Sequence, residues 1–274
     1  MVTQEQRKRQ LAREKFLRQQ QRRTSARRKA RARNSVIASV LGVIVIGSVA
    51  LYTTGVMKND DKSNASADVT PTPSASATKK APDPCAKPAA GKIKTETWKK
   101  EPAVTIDKSA KYTMKLATTC GDIDIALKTS AAPHTVNSFN FLAGKGFFDH
   151  TKCHRLTTSG IYVLQCGDPT GAGSGGPGYT IPDENLKDTS LKGGNYPAGT
   201  VAMANTGQKH TGGSQFFLVY KDSQLPASYT PFGTISASGM KVLNKIAAAG
   251  ESTGAGDGAP NATVVINKAT VTKS

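Results

Sequence analysis

Three segments of this chain bring permanent donors, amides and apolar side chains together. The first is Phe147-Phe148-Asp149-His150-Thr151-Lys152-Cys153-His154-Arg155. The second is Gln165-Cys166-Gly167-Asp168-Pro169-Thr170-Gly171, which runs on into more glycine. The third is Met203-Ala204-Asn205, followed by Gly213-Ser214-Gln215-Phe216-Phe217. Arg155 is always charged and offers a planar fork of N–H donors, a group suited to polarising a bound acceptor or to a structural ion pair. Gln165 by itself reads as an ordinary polar strand residue and Phe217 by itself as core packing. The run Gly171–Gly176 satisfies a dinucleotide-binding pattern, but Asp168-Pro169 precedes it and Pro177-Gly178-Tyr179 follows in place of a helix, so no phosphate cradle is expected. His134, His150, His154 and His210 lack metal-ligand spacing with the cysteines, and there is no C-x-x-C. Neither metal nor cofactor is expected, and His154 reads as a packing or hydrogen-bonding neighbour of Arg155.

Taken as an ordered set, the three segments resemble the signature of the cyclophilin family. The resemblance covers the stretch from Lys111 to Val271 and includes Tyr229-Thr230-Pro231-Phe232-Gly233. It implies a mainly β fold, a closed eight-stranded antiparallel barrel capped by two α-helices, with a groove on its outer face for an X-Pro dipeptide. It also implies peptidyl-prolyl cis-trans isomerase activity on polypeptide clients. By the same resemblance Arg155 and Gln165 are the catalytic pair, and Tyr162, Val163, Phe217 and Leu225 form the proline pocket. Ala204, Asn205 and Thr206 hold the extended main chain, Gln215 and Tyr229 complete the substrate site, and Phe216 packs in the core. The chain departs from the family at Cys153, where an aromatic is usual, and at Tyr229, which replaces a histidine. Between Arg155 and Gln165 it is two residues longer, with Thr157-Thr158-Ser159 in place of a proline turn. The single tryptophan, Trp98, lies outside the barrel, so cyclosporin sensitivity does not follow.

The implied chemistry is rotation, with no bond broken. The peptide bond resists it by about 18–20 kcal/mol because the nitrogen lone pair is delocalised into the carbonyl. A catalyst must grip the proline, donate a hydrogen bond to the nitrogen as its lone pair localises, and exclude water. A non-catalytic chaperone or scaffold that binds proline segments is the alternative.

The elements that must position these groups are mostly strands. Tyr112–Thr118 and Asp122–Leu127 alternate about a Cys120-Gly121 turn, as a hairpin with one buried face does. One helix is expected from a Thr135 N-cap through Val136, Phe139 and Leu142 towards Gly144. A second carries Val242, Leu243, Ile246 and Ala249 and stops at Gly250.

The net charge of +18 is unevenly spread: residues 1–34 hold 13 Lys/Arg against Glu5 and Glu14, leaving only +7 for the remainder. A basic excess confined to one tail gives no reason to expect a nucleic-acid partner. Arg33 and Lys58 bracket 24 uncharged residues, dense in apolar side chains from Val36 to Tyr52. A helix of that length covers the roughly 30 Å hydrocarbon core of a membrane. The expected order is therefore a basic cytoplasmic arm (1–34), a single transmembrane helix (35–57), a disordered linker (58–92) and the isomerase domain (93–274, barrel about 111–272). The positive-inside rule places that domain outside the cell membrane, as a monomer acting on exported clients. Ser48-Val49-Ala50 keeps a cleaved signal peptide open as the alternative. Cys85, Cys120, Cys153 and Cys166 all fall on the exported side, which permits disulfides. Cys153 and Cys166 flank what should be a tight hairpin, and pairing them leaves Cys85 for Cys120. Four buried thiols are the other possibility.

Overall fold

The structure, a computed structural model, describes residues 82–274. The basic arm, the apolar span 35–57 and most of the linker lie outside the described residues. Among the described residues no helix is long and apolar enough to cross a membrane.

The fold begins with strands β1 (Tyr112–Thr118) and β2 (Gly121–Leu127), whose alternating apolar residues pair in register from Tyr112↔Leu127 to Thr118↔Gly121. Helix α1 (Pro133–Gly144) follows, then β3 (Thr151–Lys152), β4 (Arg155–Thr157) and β5 (Val163–Cys166). After a long glycine-rich loop come β6 (Asn195–Tyr196), β7 (Thr200–Met203), β8 (Phe216–Val219), β9 (Ser223–Gln224) and β10 (Pro231–Ile235). Helix α2 (Ala237–Ala248), β11 (Asp257–Gly258) and the long β12 (Val265–Lys273) complete the chain. Ten strands form one antiparallel sheet in the order β11-β4-β5-β8-β7-β10-β2-β1-β12-β3, while β6 and β9 make a separate two-stranded ribbon.

This curled sheet corrects the expectation of a closed eight-stranded barrel, because the hydrogen-bond ladder does not run all the way round. The open edges are β11 and β3, and the chain crosses from one side of the gap to the other between β3 and β4. The Cys153 N–H donates to the Val264 carbonyl, on the β12 side, and the next N–H, of His154, donates to the Gln165 carbonyl on β5. One short stretch of backbone therefore serves two neighbours in turn, and each receives only a few residues.

Helix α1 also starts earlier than expected. Pro133 occupies its first turn, where a missing N–H costs nothing, and Ala132 at the N-cap has no side chain to offer. The free donors are met from elsewhere: Glu184 accepts from the N–H groups of His134 (3.0 Å) and Thr135 (2.9 Å) and from the Thr135 hydroxyl (2.8 Å). Helix α2 begins at a Ser236 cap that accepts from the Gly239 N–H, and Gly250, at φ 72°, turns the chain out of it. Phe139 of α1 meets Phe232, Phe148 and Phe216 with ring centroids 4.5, 5.2 and 5.4 Å away, and these rings fill the middle of the core.

The segment ahead of β1 is bound to the sheet over much of its length, including residues 82–92, which composition assigns to the linker. Disulfides join Cys85 to Cys120 and Cys153 to Cys166, and no free cysteine remains among the described residues. The Ala86 N–H donates to the Thr119 carbonyl, and that of Ala89 to Asn267 Oδ1. The bridges span 35 and 13 residues. On the chain-entropy scale these correspond to about 4 and about 3 kcal/mol. The pair Cys85→Ser/Cys120→Ser should therefore lose more stability in urea unfolding than the pair Cys153→Ser/Cys166→Ser, and reductant should abolish the difference between each variant and the unmodified protein.

Candidate active site

The register across β4, β5, β8 and β7 aligns two neighbouring rows of side chains. Leu156, Leu164, Leu218 and Val201 oppose one another in one row, and all four lie in the main core. The adjacent row is Arg155, Gln165, Phe217 and Ala202. Successive strand residues point to opposite faces, so this second row stands on the outer face of the sheet. There Val163, Ala202, Phe217 and Val219 join Leu191 and Tyr196 in a second apolar cluster separate from the core. Phe216 and Phe217 are thus both buried, one on each side of the sheet.

A cavity of about 100 Å³ opens on this outer cluster, lined by Arg155, Ile161, Val163, Gln165, Ala204, Asn205, Phe217, Leu225 and Tyr229. Tyr162 is not in that lining, a correction to the sequence reading. Ile161, in the bend ahead of β5, lines the cavity beside Val163, while the Tyr162 ring lies edge-on to Tyr220 at 5.9 Å and beneath the Lys221 ammonium at 4.6 Å. Thr206 and Gln215 line a larger neighbouring cavity instead, which shares Gln165, Ala204 and Asn205 with the first. Tyr229 stands T-shaped to Phe217 at 5.5 Å. Its backbone is fixed by the fully buried Tyr196, whose hydroxyl donates to the Tyr229 carbonyl (2.8 Å) and accepts from its N–H (3.2 Å). The Asn205 side chain ties its own loop to the one ahead of β10, accepting from the Gly207 N–H and donating to the Ser228 carbonyl.

Arg155 is held from two sides. Its Nε and Nη2 donate to the two oxygens of Asp257, both at 2.8 Å, and its Nη1 donates to Gln165 Oε1 at 3.2 Å. The bidentate geometry fixes the guanidinium plane. Because arginine only donates, the Gln165 oxygen must face it, and the order of the amides follows. Gln165 Nε2 donates to Gln215 Oε1, and Gln215 Nε2 donates to the Gly175 carbonyl, both at 2.9 Å. The pair with Asp257 holds that carboxyl below the usual carboxylate range and raises the arginine further above its own. Three of the five guanidinium donors are thereby used, and the other two have no partner among the described residues.

Asp257 was not singled out by the sequence reading. It lies 102 residues from Arg155 in the chain. Strand β11 places it opposite Thr157, two residues beyond Arg155 and so on the same face. Its loop is shaped by Glu251, whose carboxylate accepts from the Thr253 N–H, the Thr253 hydroxyl and the Gly256 N–H. Tyr196 was likewise missed; a short acidic residue after a glycine run and a lone strand tyrosine carry no local signal of their partners. The glycine run itself wraps a carboxylate of this chain, since the buried Asp168 accepts from the N–H groups of Thr170 and Gly173.

His154 packs without bonding: neither buried ring nitrogen has a hydrogen-bond partner. Burial pushes its pKa down, with Arg155 and Lys152 acting the same way against the opposing pull of Asp168. The native state then binds fewer protons than the unfolded chain below the unfolded histidine value of about 6.5. Stability contributed by the neutral ring is complete above that pH and lost as pH falls from it through the lowered value of the folded state. Unfolding free energies from urea titrations between about pH 7.5 and 5.0 should decline, by at most about 1.4 kcal/mol per pH unit from this group, and His154→Leu should flatten the decline.

Comparison with known proteins fits this geometry. Residues 113–271, more than half of the chain, match the family described as cyclophilin type peptidyl-prolyl cis-trans isomerase/CLD. The chain is 47% identical over 199 residues to a Mycobacterium leprae protein named probable peptidyl-prolyl cis-trans isomerase B, a match spanning 68% of this chain and 62% of that one. A Mycobacterium tuberculosis protein of the same name is 45% identical over 195 residues, spanning 68% and 59%. A Helicobacter pylori peptidyl-prolyl cis-trans isomerase is 38% identical over 156 residues, or 56% of this chain and 88% of the relative. The crystal structure of a Cryptosporidium parvum cyclophilin type isomerase superposes with a TM-score of 0.50 at 26% identity, covering 60% of this chain and 99% of the other. The chain therefore spans less than two thirds of its mycobacterial relatives and nearly the whole of smaller ones, and by the match over residues 113–271 it belongs to the cyclophilin type peptidyl-prolyl cis-trans isomerase family.

Proposed function

We propose that this protein accelerates cis-trans rotation of X-Pro bonds in polypeptide clients. The observation that carries the reading is the Arg155 guanidinium, fixed between Asp257 and Gln165 at the mouth of an apolar pocket, with donors to spare. The proline ring enters against Phe217, Val163, Ile161 and Leu225. Burying three ring methylenes contributes roughly 2 kcal/mol at about 0.8 kcal/mol each. That contribution is nearly the same for cis and trans, so it orients the peptide and lowers no barrier. Acceleration needs a contact made chiefly in the twisted state. As the C–N bond rotates, the nitrogen lone pair leaves the carbonyl and becomes an acceptor, and a free Arg155 N–H donates to it. Gln165 holds the guanidinium in place, and Asp257 prevents it from swinging towards solvent. The backbone around Ala204–Thr206 receives the extended client chain.

We further propose that residues 35–57 anchor a monomeric protein in the cell membrane, with residues 1–34 cytoplasmic and the isomerase domain outside. The charge step across that span supports this reading. Protease added to intact cells should release the isomerase domain and spare the arm. The reverse pattern would invert the orientation, and a mature N-terminus at Leu51 would replace the anchor with a cleaved leader.

Arg155→Ala should lower the rate of X-Pro exchange by roughly 10²–10³, the scale of removing one preorganised donor, with little change in fold or peptide affinity. Arg155→Lys should restore only part of it, since an ammonium cannot reproduce the fork. Asp257→Ala should reduce turnover by about tenfold with KM nearly unchanged, and should add little once Arg155 is gone, because the two act as a unit. Phe217→Ala should weaken binding as well as turnover. A folded Arg155→Ala protein with unaltered exchange rates, measured on proline peptides by NMR, would refute the mechanism. Binding without acceleration by the unmodified protein would favour a proline-binding chaperone.

A further inference from the structure

We infer that the segment ahead of β1 builds a subsite for an acidic side chain of the client, beside the proline pocket; this rests on the isomerase reading above. The cavity adjoining that pocket measures about 890 Å³, against about 100 Å³ for the proline pocket, so it has room for several client residues. Gln165, Ala204 and Asn205 line both, which makes them one continuous groove. One wall is the glycine-rich loop, including Gly175 and Gly176. The other wall is Lys99, Lys100 and Glu101. These three precede the residues that match the family, 113–271, so they are an addition to the common fold.

The two lysines stand on a fixed support. On one side the Trp98 N–H donates to the Pro177 carbonyl (2.8 Å), and the Trp98 ring packs edge-on to Phe141 at 5.0 Å and against Phe147 at 6.1 Å. The fit is close enough that a Cβ on Gly178 would come within 2.8 Å of the Trp98 carbonyl oxygen. On the other side Asn137 of α1 donates to the carbonyls of Pro102 and Ala103 and accepts from the Thr105 N–H. The backbone of Lys99 and Lys100 is thus held at the groove while their side chains remain exposed.

The charge in this wall is unbalanced. Glu101 is the single carboxylate among the residues lining the cavity besides the two lysines, and its Oε1 lies 2.7 Å from Nδ1 of His134, outside the groove lining. No ion pair among the described residues involves Lys99 or Lys100. Two ammonium groups with no carboxylate bound to them, on the rim of a groove whose other end holds the proline, favour a client with Asp or Glu a few residues to one side of X-Pro. Such a preference is electrostatic and must weaken with salt.

The test uses the full-length protein in detergent micelles and peptides carrying Ala-Pro with Glu, Gln or Lys two or three residues before the proline, or at the same distances after it. At about 50 mM salt, kcat/KM for Glu should exceed that for Gln by about 3–10-fold on one side of the proline only, and the ratio should shrink below about twofold at 0.5 M salt. The ratio should fall to about one in Lys99→Ala/Lys100→Ala and invert in Lys99→Glu/Lys100→Glu. Equal rates for Glu and Gln in every placement overturn the subsite. So does an equal gain on both sides, the mark of overall charge, or a preference that survives in the double variant. If no peptide is turned over, the isomerase reading fails by itself. The subsite is then decided by the anisotropy of labelled Glu and Gln peptides: tighter binding of Glu that depends on Lys99 and Lys100 supports it, and equal affinities overturn it.

Discussion

Side chains on a strand alternate between faces, and in this sheet both faces of the same four strands are committed. The row Leu156, Leu164, Leu218 and Val201 is sealed in the core, and its neighbour, Arg155, Gln165, Phe217 and Ala202, forms the outer site. A slip of one residue in β4 or β5 would carry Arg155 or Gln165 into the core and a leucine out to the groove. The cost of burying an unpaired guanidinium makes that slip prohibitive, so the packing that folds the domain also sets the site. Position in the sheet, more than any local motif, explains why one face holds an apolar pocket with a cation at its edge.

The polar part of the site is ordered by a group with no acceptor. Arg155 forces the orientation of Gln165, which forces that of Gln215, and the relay ends on a backbone carbonyl of the glycine-rich loop. At the other end Asp257 takes two guanidinium donors. The ion pair is partly exposed, and its contribution to stability is correspondingly small. Its effect is geometric: a long, flexible side chain is reduced to one plane and two free donors. The structural ion pair considered for Arg155 from sequence is therefore present, and it is compatible with a role in the groove because the pair uses one edge of the fork and the pocket faces the rest.

The segment ahead of β1 does for the groove what Asp257 does for the arginine. A disulfide at Cys85, the Trp98 ring and the Asn137 amide fasten stretches of chain with little regular structure of their own. With no ladder to hold it, such a strap depends on isolated anchors, each made to a partner far away in sequence.

How much of this was legible in the sequence depends on whether the signal was local. Alternation in Tyr112–Leu127 located the first hairpin, helical spacing and Gly250 located α2, and the ordered segments around Arg155, Gln165 and Phe217 marked the residues that meet on one face. The family resemblance put Tyr162 in the pocket, where the structure has Ile161, and local patterns misplaced the start of α1, because its cap is the distant Glu184. They also suggested a closed barrel, since the period of a strand tells nothing about which neighbour its backbone will serve, and at Cys153 and His154 that neighbour changes from one residue to the next. Asp257 and Tyr196 acquire meaning only from partners brought to them by folding, and the lysines of the strap only from the cavity they line. Residue type and period act over a few positions along the chain and were determined by sequence alone; the pairing of an arginine with a carboxylate 102 residues away, and the continuity of two cavities, are decided by tertiary structure because only the folded backbone brings those groups within hydrogen-bonding reach.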